Sequence, residues 1–215
     1  MYRPVDVIEV WIWGERAGAV MLDPARGFHV FEYDPKWLRK GIELAPLTMP
    51  LAPGGYTFPD LPQATYKRLP ALLADALPDD FGNALVEAYF AREGIHRSAI
   101  TALDRLAYMG SRSMGALEFK PARSPRKVKP SAIELSSLVI SSRQLLSGDF
   151  SGDEEAKAAV MNLIQVGTSA GGARAKAVIA WNPETQAIQS GQLPANPGFE
   201  HWLIKLDGIG EDKEL

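Results

Sequence analysis

No cysteine occurs among the 215 residues, so neither a disulfide framework nor a thiolate metal site is available. Histidine is scarce as well: His29, His96 and His201 stand far apart, without the spacing of a metal-ligand set. Long apolar runs are missing too, and no stretch approaches the roughly 20 residues that a membrane-spanning helix needs. The first residues, Met1 to Asp6, show no basic stretch leading to a small-residue cleavage site, so a cytoplasmic location without a membrane partner is expected. Neither sign of charge dominates. The 23 Lys and Arg against 26 Asp and Glu give a net −3, which offers no global field for nucleic acid.

What is present is the composition of an ordinary globular protein, 46% hydrophobic and 23% charged, long enough for one or two domains. Val7 to Trp13 is rich in β-branched and aromatic residues. With Gly14-Glu15-Arg16 as a turn and Ala17 to Leu22 as the return strand, it reads as a hairpin. Phe28 to Tyr33 alternates apolar and polar side chains, and Asp34-Pro35 suits the N-cap and first position of a short helix through Trp37 and Leu38. The aromatic residues Trp11, Trp13, Phe31 and Trp37 are expected in the core of this part.

From Ala45 to Pro70 the density of proline and glycine predicts an irregular, packed connection. Three short helices should follow, carried by Leu69, Leu72, Leu73 and Leu77, then by Leu85, Tyr89 and Phe90, then by Ile100, Leu103, Leu106 and Ala107 after Ser98 as cap. Asp75, Asp79 and Asp80 lie around the helix junction at Pro78, where capping accounts for them. Ala116 to Lys120 can form a strand, whereas Pro121 to Pro130 combines prolines with basic residues as an exposed loop. Ser131 then caps a helix bearing Ile133, Leu135, Leu138, Val139 and Leu145. Asp153-Glu154-Glu155 opens another, its acidic first turn suiting the helix dipole.

That helix runs into the segment Gly167-Thr168-Ser169-Ala170-Gly171-Gly172-Ala173-Arg174-Ala175-Lys176, which is followed by a strand Ala177 to Trp181, a turn at Asn182 to Thr185 and a short return strand. Phosphate loops of the Rossmann and P-loop kinds follow a strand and open a helix, so the order excludes both. A glycine-rich loop feeding a hairpin is how protein kinases cover ATP phosphates. Small residues admit backbone N–H groups to the anion, and Arg174 and Lys176 could supply cations. A tight helix-to-strand turn needs glycine equally, and the loop alone does not choose. Further on, Phe199 to Asp207 reads as a strand in which Lys205 shares a face with Leu203 and Asp207. Such a lysine either meets a phosphate, as in kinases, or guards an edge strand against aggregation.

Three separated segments resemble the HipA family of serine/threonine kinase toxins: VWIWGERAGAV, LPALLADALPDDFGNAL, and GTSAGGARAKAVIA paired with EHWLIKLDG. The resemblance implies an α+β fold with a small β-rich N-terminal subdomain over residues 1–120, a basic proline-rich loop over 121–130, and a partial kinase-like N-lobe over 131–215. It further implies that Ser169 is a regulatory autophosphorylation site. Gly171, Gly172, Ala173, Arg174, Ala175 and Lys176 would form the ATP loop, and Lys205 the phosphate-contacting lysine. ATP with Mg²⁺ is the implied cofactor, a protein of the aminoacyl-tRNA synthetase class the implied substrate, and a helix-turn-helix antitoxin of HipB type the implied partner. DNA would then be reached only through that antitoxin. The chain departs from the pattern at Arg174-Ala175, where some members carry a Gln-Glu pair, which leaves the nucleotide contacts there open.

Phosphoryl transfer also needs a carboxylate to orient the attacking hydroxyl, and Asp or Asn side chains to hold Mg²⁺. In the family these lie downstream of the strand lysine, and Gly208 to Leu215 is too short to supply them, so no catalytic residue or metal ligand is expected in these 215 residues. The sequence looks cut within a domain and inactive by itself. The alternatives are a short non-catalytic module that engages a partner kinase or antitoxin, and an α+β protein whose glycines serve only turns.

Overall fold

The described strands fall into two antiparallel sheets, one built from the first 120 residues and one from residues after 175. The computed structural model describes residues 2–113, 115–123, 133, 135–147, 153–166, 175–192 and 196–206. Along the chain the first elements are β1 (Val7–Ile12), β2 (Glu15–Asp23), β3 (Phe28–Tyr33), α1 (Pro35–Leu38), β4 (Gly55–Tyr56), α2 (Gln63–Tyr66) and α3 (Ala71–Ala74). Then come α4 (Asp80–Arg92), α5 (Ala102–Met109), β5 (Leu117–Lys120), α6 (Leu135–Ser147), α7 (Asp153–Val166), β6 (Lys176–Trp181), β7 (Ile188–Ser190) and β8 (Glu200–Lys205). The chain is thus an α+β protein with a β-rich N-terminal region.

Two compact units result, and they do not follow chain order. The first comprises residues 1–77 and 98–124; the second comprises 78–97 and 125–215.

In the first unit the sheet order is β4-β3-β2-β1-β5, antiparallel throughout. Alternation along the strands sends Ile8, Val10, Ile12, Val20, Phe31 and Tyr33 to one face, where they are buried. The turn between β1 and β2 is Trp13-Gly14, with φ of +52° and +78°. Left-handed geometry at both positions matches the strand twist in a two-residue hairpin. The turn therefore lies ahead of its sequence-predicted place, and Glu15 and Arg16 belong to β2. At that turn Trp13 is 70% exposed, and Trp11 is only half-buried, so the expected aromatic core is confined to Phe31 and Trp37.

Asp34 caps α1, accepting a hydrogen bond from the Lys36 N–H at 2.7 Å, with Pro35 at the first helical position as its fixed φ favours. The proline-rich stretch contributes Met49 and Leu69 to the interior, and the Tyr33 hydroxyl donates to the Met49 carbonyl at 2.8 Å. The leucines after residue 69 make only the single turn of α3. The cap of α5 is Thr101 rather than Ser98, which sits in a short 3-10 turn. Thr101 and Asp104 form a reciprocal capping box, satisfying orphan donors at both positions.

In the second unit α6 and α7 pack against each other and against α4, and α7 lies on β6 and β7. The interior holds Phe81, Leu85, Val86 and Phe90 of α4, Leu138 of α6, and Val160, Leu163 and Ile164 of α7. Ile133 is not helical as expected. Its N–H donates to the Ile188 carbonyl of β7 at 2.9 Å, and α6 starts at Leu135. Ser131, assigned as that helix's cap, lies outside the described residues.

Candidate functional site

Strand β6 is central in a three-stranded sheet of order β7-β6-β8, antiparallel to both neighbours. It leaves the glycine-rich segment through Ala175, which is buried and accepts a hydrogen bond from the Leu206 N–H at 2.9 Å, one step beyond the end of β8. The far end of β6 turns at Asn182, whose side-chain oxygen accepts from the N–H groups of Glu184 and Thr185, both at 2.9 Å. An asparagine folded onto its own backbone in this way closes the hairpin that the sequence predicts there.

The register sets Lys176 directly opposite Lys205, Val178 opposite Leu203 and Ala180 opposite His201. Facing residues of an antiparallel pair point to the same side, so these six share one face. The other face takes Ala177, Ile179, Trp181, Trp202 and Ile204, with Trp181 and Trp202 packed edge to face at 6.1 Å. The two lysines, 29 residues apart along the chain, are brought together by this pairing as neighbours on one sheet face.

Like charges directly opposite one another destabilise a sheet unless a counter-charge intervenes. Here Asp79 intervenes. Its Oδ2 lies 3.2 Å from the Lys176 ammonium nitrogen, and both side chains are only 5% exposed. Asp79 is at the same time the N-cap of α4, its other carboxylate oxygen accepting from the Gly82 N–H at 2.8 Å. One carboxylate thus serves a helix end and a buried cation. Lys205, by contrast, is exposed at the end of β8. It shares its face with half-buried Val178 and exposed Leu203, giving a cation beside an apolar surface.

Of the residues singled out in the sequence, Lys176 and Lys205 are brought together, and Ala175 is an interior residue beside them. Ser169, Gly171, Gly172, Ala173 and Arg174 lie outside the described residues, as does Asp207. Asp79 is the residue that sequence reasoning recognised only as a cap. Its lysine partner is 97 positions away, and no local pattern announces such a pair.

Several charged groups of the first unit are held in ion pairs and hydrogen bonds. Arg16 bridges Asp34, at 2.7 Å from its Nε, and Glu9, at 3.0 Å. The Lys36 N–H, followed by the Arg16 guanidinium, holds the Asp34 carboxyl below its usual range; the Trp11 indole N–H does most of this for Glu9. Asp104 is fully buried and accepts from the Val5 N–H at 2.9 Å, from Thr101 and from Arg123 at 3.2 Å. Burial, reinforced by that carboxylate, pushes the Tyr2 hydroxyl up to about 12.

Among the described residues no group of three or more His, Cys, Asp or Glu could hold a metal ion, and no helix is long and apolar enough to cross a membrane. An α+β chain with a five-stranded antiparallel sheet in one unit and a lysine-bearing three-stranded sheet in the other defines the class. The HipA N-terminal domain family matches residues 8–120, more than half of the 215, and the chain belongs to the HipA family. The match runs from β1 through β5, and β6 to β8 lie beyond it. No curated protein matches the chain.

Proposed function

We propose that this chain is the nucleotide-binding part of a HipA-like protein serine/threonine kinase that uses ATP to phosphorylate a protein of the aminoacyl-tRNA synthetase class. The observation that carries the reading is the exposed Lys205 on the sheet that continues the glycine-rich segment, paired in register with the first strand residue after that segment. A cation there can meet phosphate oxygens, and Val178 and Leu203 on the same face offer an apolar surface of the kind a nucleotide base rests on. The residues present therefore fit the phosphate and base of ATP. Mg²⁺ would neutralise phosphate charge when bound, but no ligand for it is assigned among these residues, nor is a group that would orient the attacking hydroxyl.

Lys205 would hold the nucleotide, and the backbone of Gly171 to Ala175 would close over its phosphates. Phosphorylation of Ser169 adds a charge of about −1.5 to −2 to that loop and repels the incoming triphosphate, which makes it an off switch. The protein acts in the cytoplasm under control of a helix-turn-helix antitoxin of HipB type that provides the only route to DNA. Transfer from γ-labelled ATP by the native gene product tests this. Lys205→Ala should lower transfer by at least about 100-fold, as loss of a transition-state donor does elsewhere, and Ser169→Asp should lower it by about as much through repulsion of the triphosphate. Full activity in either variant contradicts the role given to that residue.

A further inference from the structure

We infer that Asp79 is a positioning residue of the nucleotide site, which acts by pairing Lys176 in the interior and leaves Lys205 as the cation that meets phosphate. The inference rests on the reading of this sheet as a nucleotide site and divides the labour between its two lysines. The resemblance to the HipA family places both near ATP, but their surroundings differ. Lys176 is 5% exposed and its charge is already met by Asp79 at 3.2 Å, whereas Lys205, its direct partner across the sheet, is exposed. A lysine so enclosed contributes to the site chiefly through what it holds in place.

What it holds is the junction of two elements. Lys176 is the first residue of β6, immediately after the glycine-rich segment, and Asp79 is the cap of α4. Their ion pair therefore ties the start of that helix to the strand on which the loop ends. Without Asp79, two lysines would face each other across the sheet with one of them enclosed, an arrangement that disfavours the strand pairing. With Asp79 in place, Lys205 is the one of the two facing lysines whose charge is presented to a triphosphate.

Substitutions can separate holding from touching. Asparagine caps a helix as well as aspartate does, so Asp79→Asn keeps the Gly82 hydrogen bond and removes only the charge. Lys176→Met keeps the length of the side chain and leaves Asp79 unpaired. Each single variant breaks the buried ion pair and removes one of its two charges; the double variant removes both. ATP affinity is measured by calorimetry for the 215-residue chain, the two single variants, the double variant and Lys205→Ala, with folding followed by circular dichroism. Each single variant should bind ATP about tenfold more weakly than wild type, the size of a coupling between neighbouring groups. The double variant should recover at least about threefold of that loss, because both charges of the pair are removed together. Should a single variant fail to fold, comparison of the double variant with Lys205→Ala still decides.

A double variant that binds as weakly as Lys205→Ala overturns the inference, since Lys176 would then contact phosphate itself. Single variants indistinguishable from wild type overturn it as well, because the pair would have no part in the site. A folded wild-type chain that binds no ATP overturns the reading of the site on which the inference stands, and is recognised by the wild-type titration alone.

Discussion

His29 is a buried imidazole whose Nδ1–H donates to the Arg68 carbonyl at 3.0 Å, and burial holds its pKa below the ordinary 6.5. As pH falls below that value the unfolded chain takes up a proton that the folded protein refuses. The stability associated with His29 is therefore fully present above the unfolded pKa and lost as pH drops from there towards the folded pKa. Urea unfolding at pH 7 and pH 5 should show this loss in wild type and a smaller one in His29→Gln. The carboxyls of Glu9 and Asp34 act at lower pH. Their depressed pKa values contribute stability that is present above the ordinary carboxylate range and lost as pH falls through the folded values. Asp104→Ala leaves the Val5 and Thr101 N–H groups without their acceptor and removes the capping box, and should cost about 3 kcal/mol in the same measurement.

At the scale of elements, two glycines in one hairpin separate backbone strain from steric exclusion. Gly14 has φ of +78° and nothing within 4 Å of an added Cβ, so Gly14→Ala should cost only the backbone penalty of about 1 kcal/mol. A Cβ at Gly18 would lie 2.3 Å from the Glu32 carbonyl oxygen and 2.6 Å from the Phe31 ring. Gly18→Ala must displace a paired strand and should cost about 3 kcal/mol or prevent folding, as read by thermal unfolding. The elements most legible in the sequence were those with local causes. β-Branched and aromatic content gave β1, alternation gave β3, Asp34-Pro35 marked the start of α1, and Asn182-Pro183 marked the turn after β6. Where two local signals competed, the choice was harder. Thr101 and Ser98 are both capable caps, and the reciprocal bond to Asp104 selects Thr101. The exposure of Trp13 follows from its place in a tight turn, which composition alone cannot show.

At the scale of the molecule, family membership was legible in segments spread along the chain, and the site only in part. Lys176 could be named from the end of the glycine-rich loop, although it opens β6, and Lys205 from its strand, where alternation correctly put Leu203 on the same face. Their direct opposition depends on register, and the enclosure of Lys176 depends on a carboxylate from a distant helix cap, neither of which is encoded locally. The grouping of α4 with the second unit has the same origin, since it is set by packing on α6 and α7. The central claim, that this sheet binds a nucleotide through Lys205, is tested most directly by titrating the wild-type chain and its Lys205→Ala variant with ATP. The account predicts saturable binding to wild type and at least about 30-fold weaker binding to the variant, with unfolding temperature unchanged, because an exposed cation is removed and no core volume is lost. Equal affinity in the two proteins, or no binding to folded wild type, would contradict it.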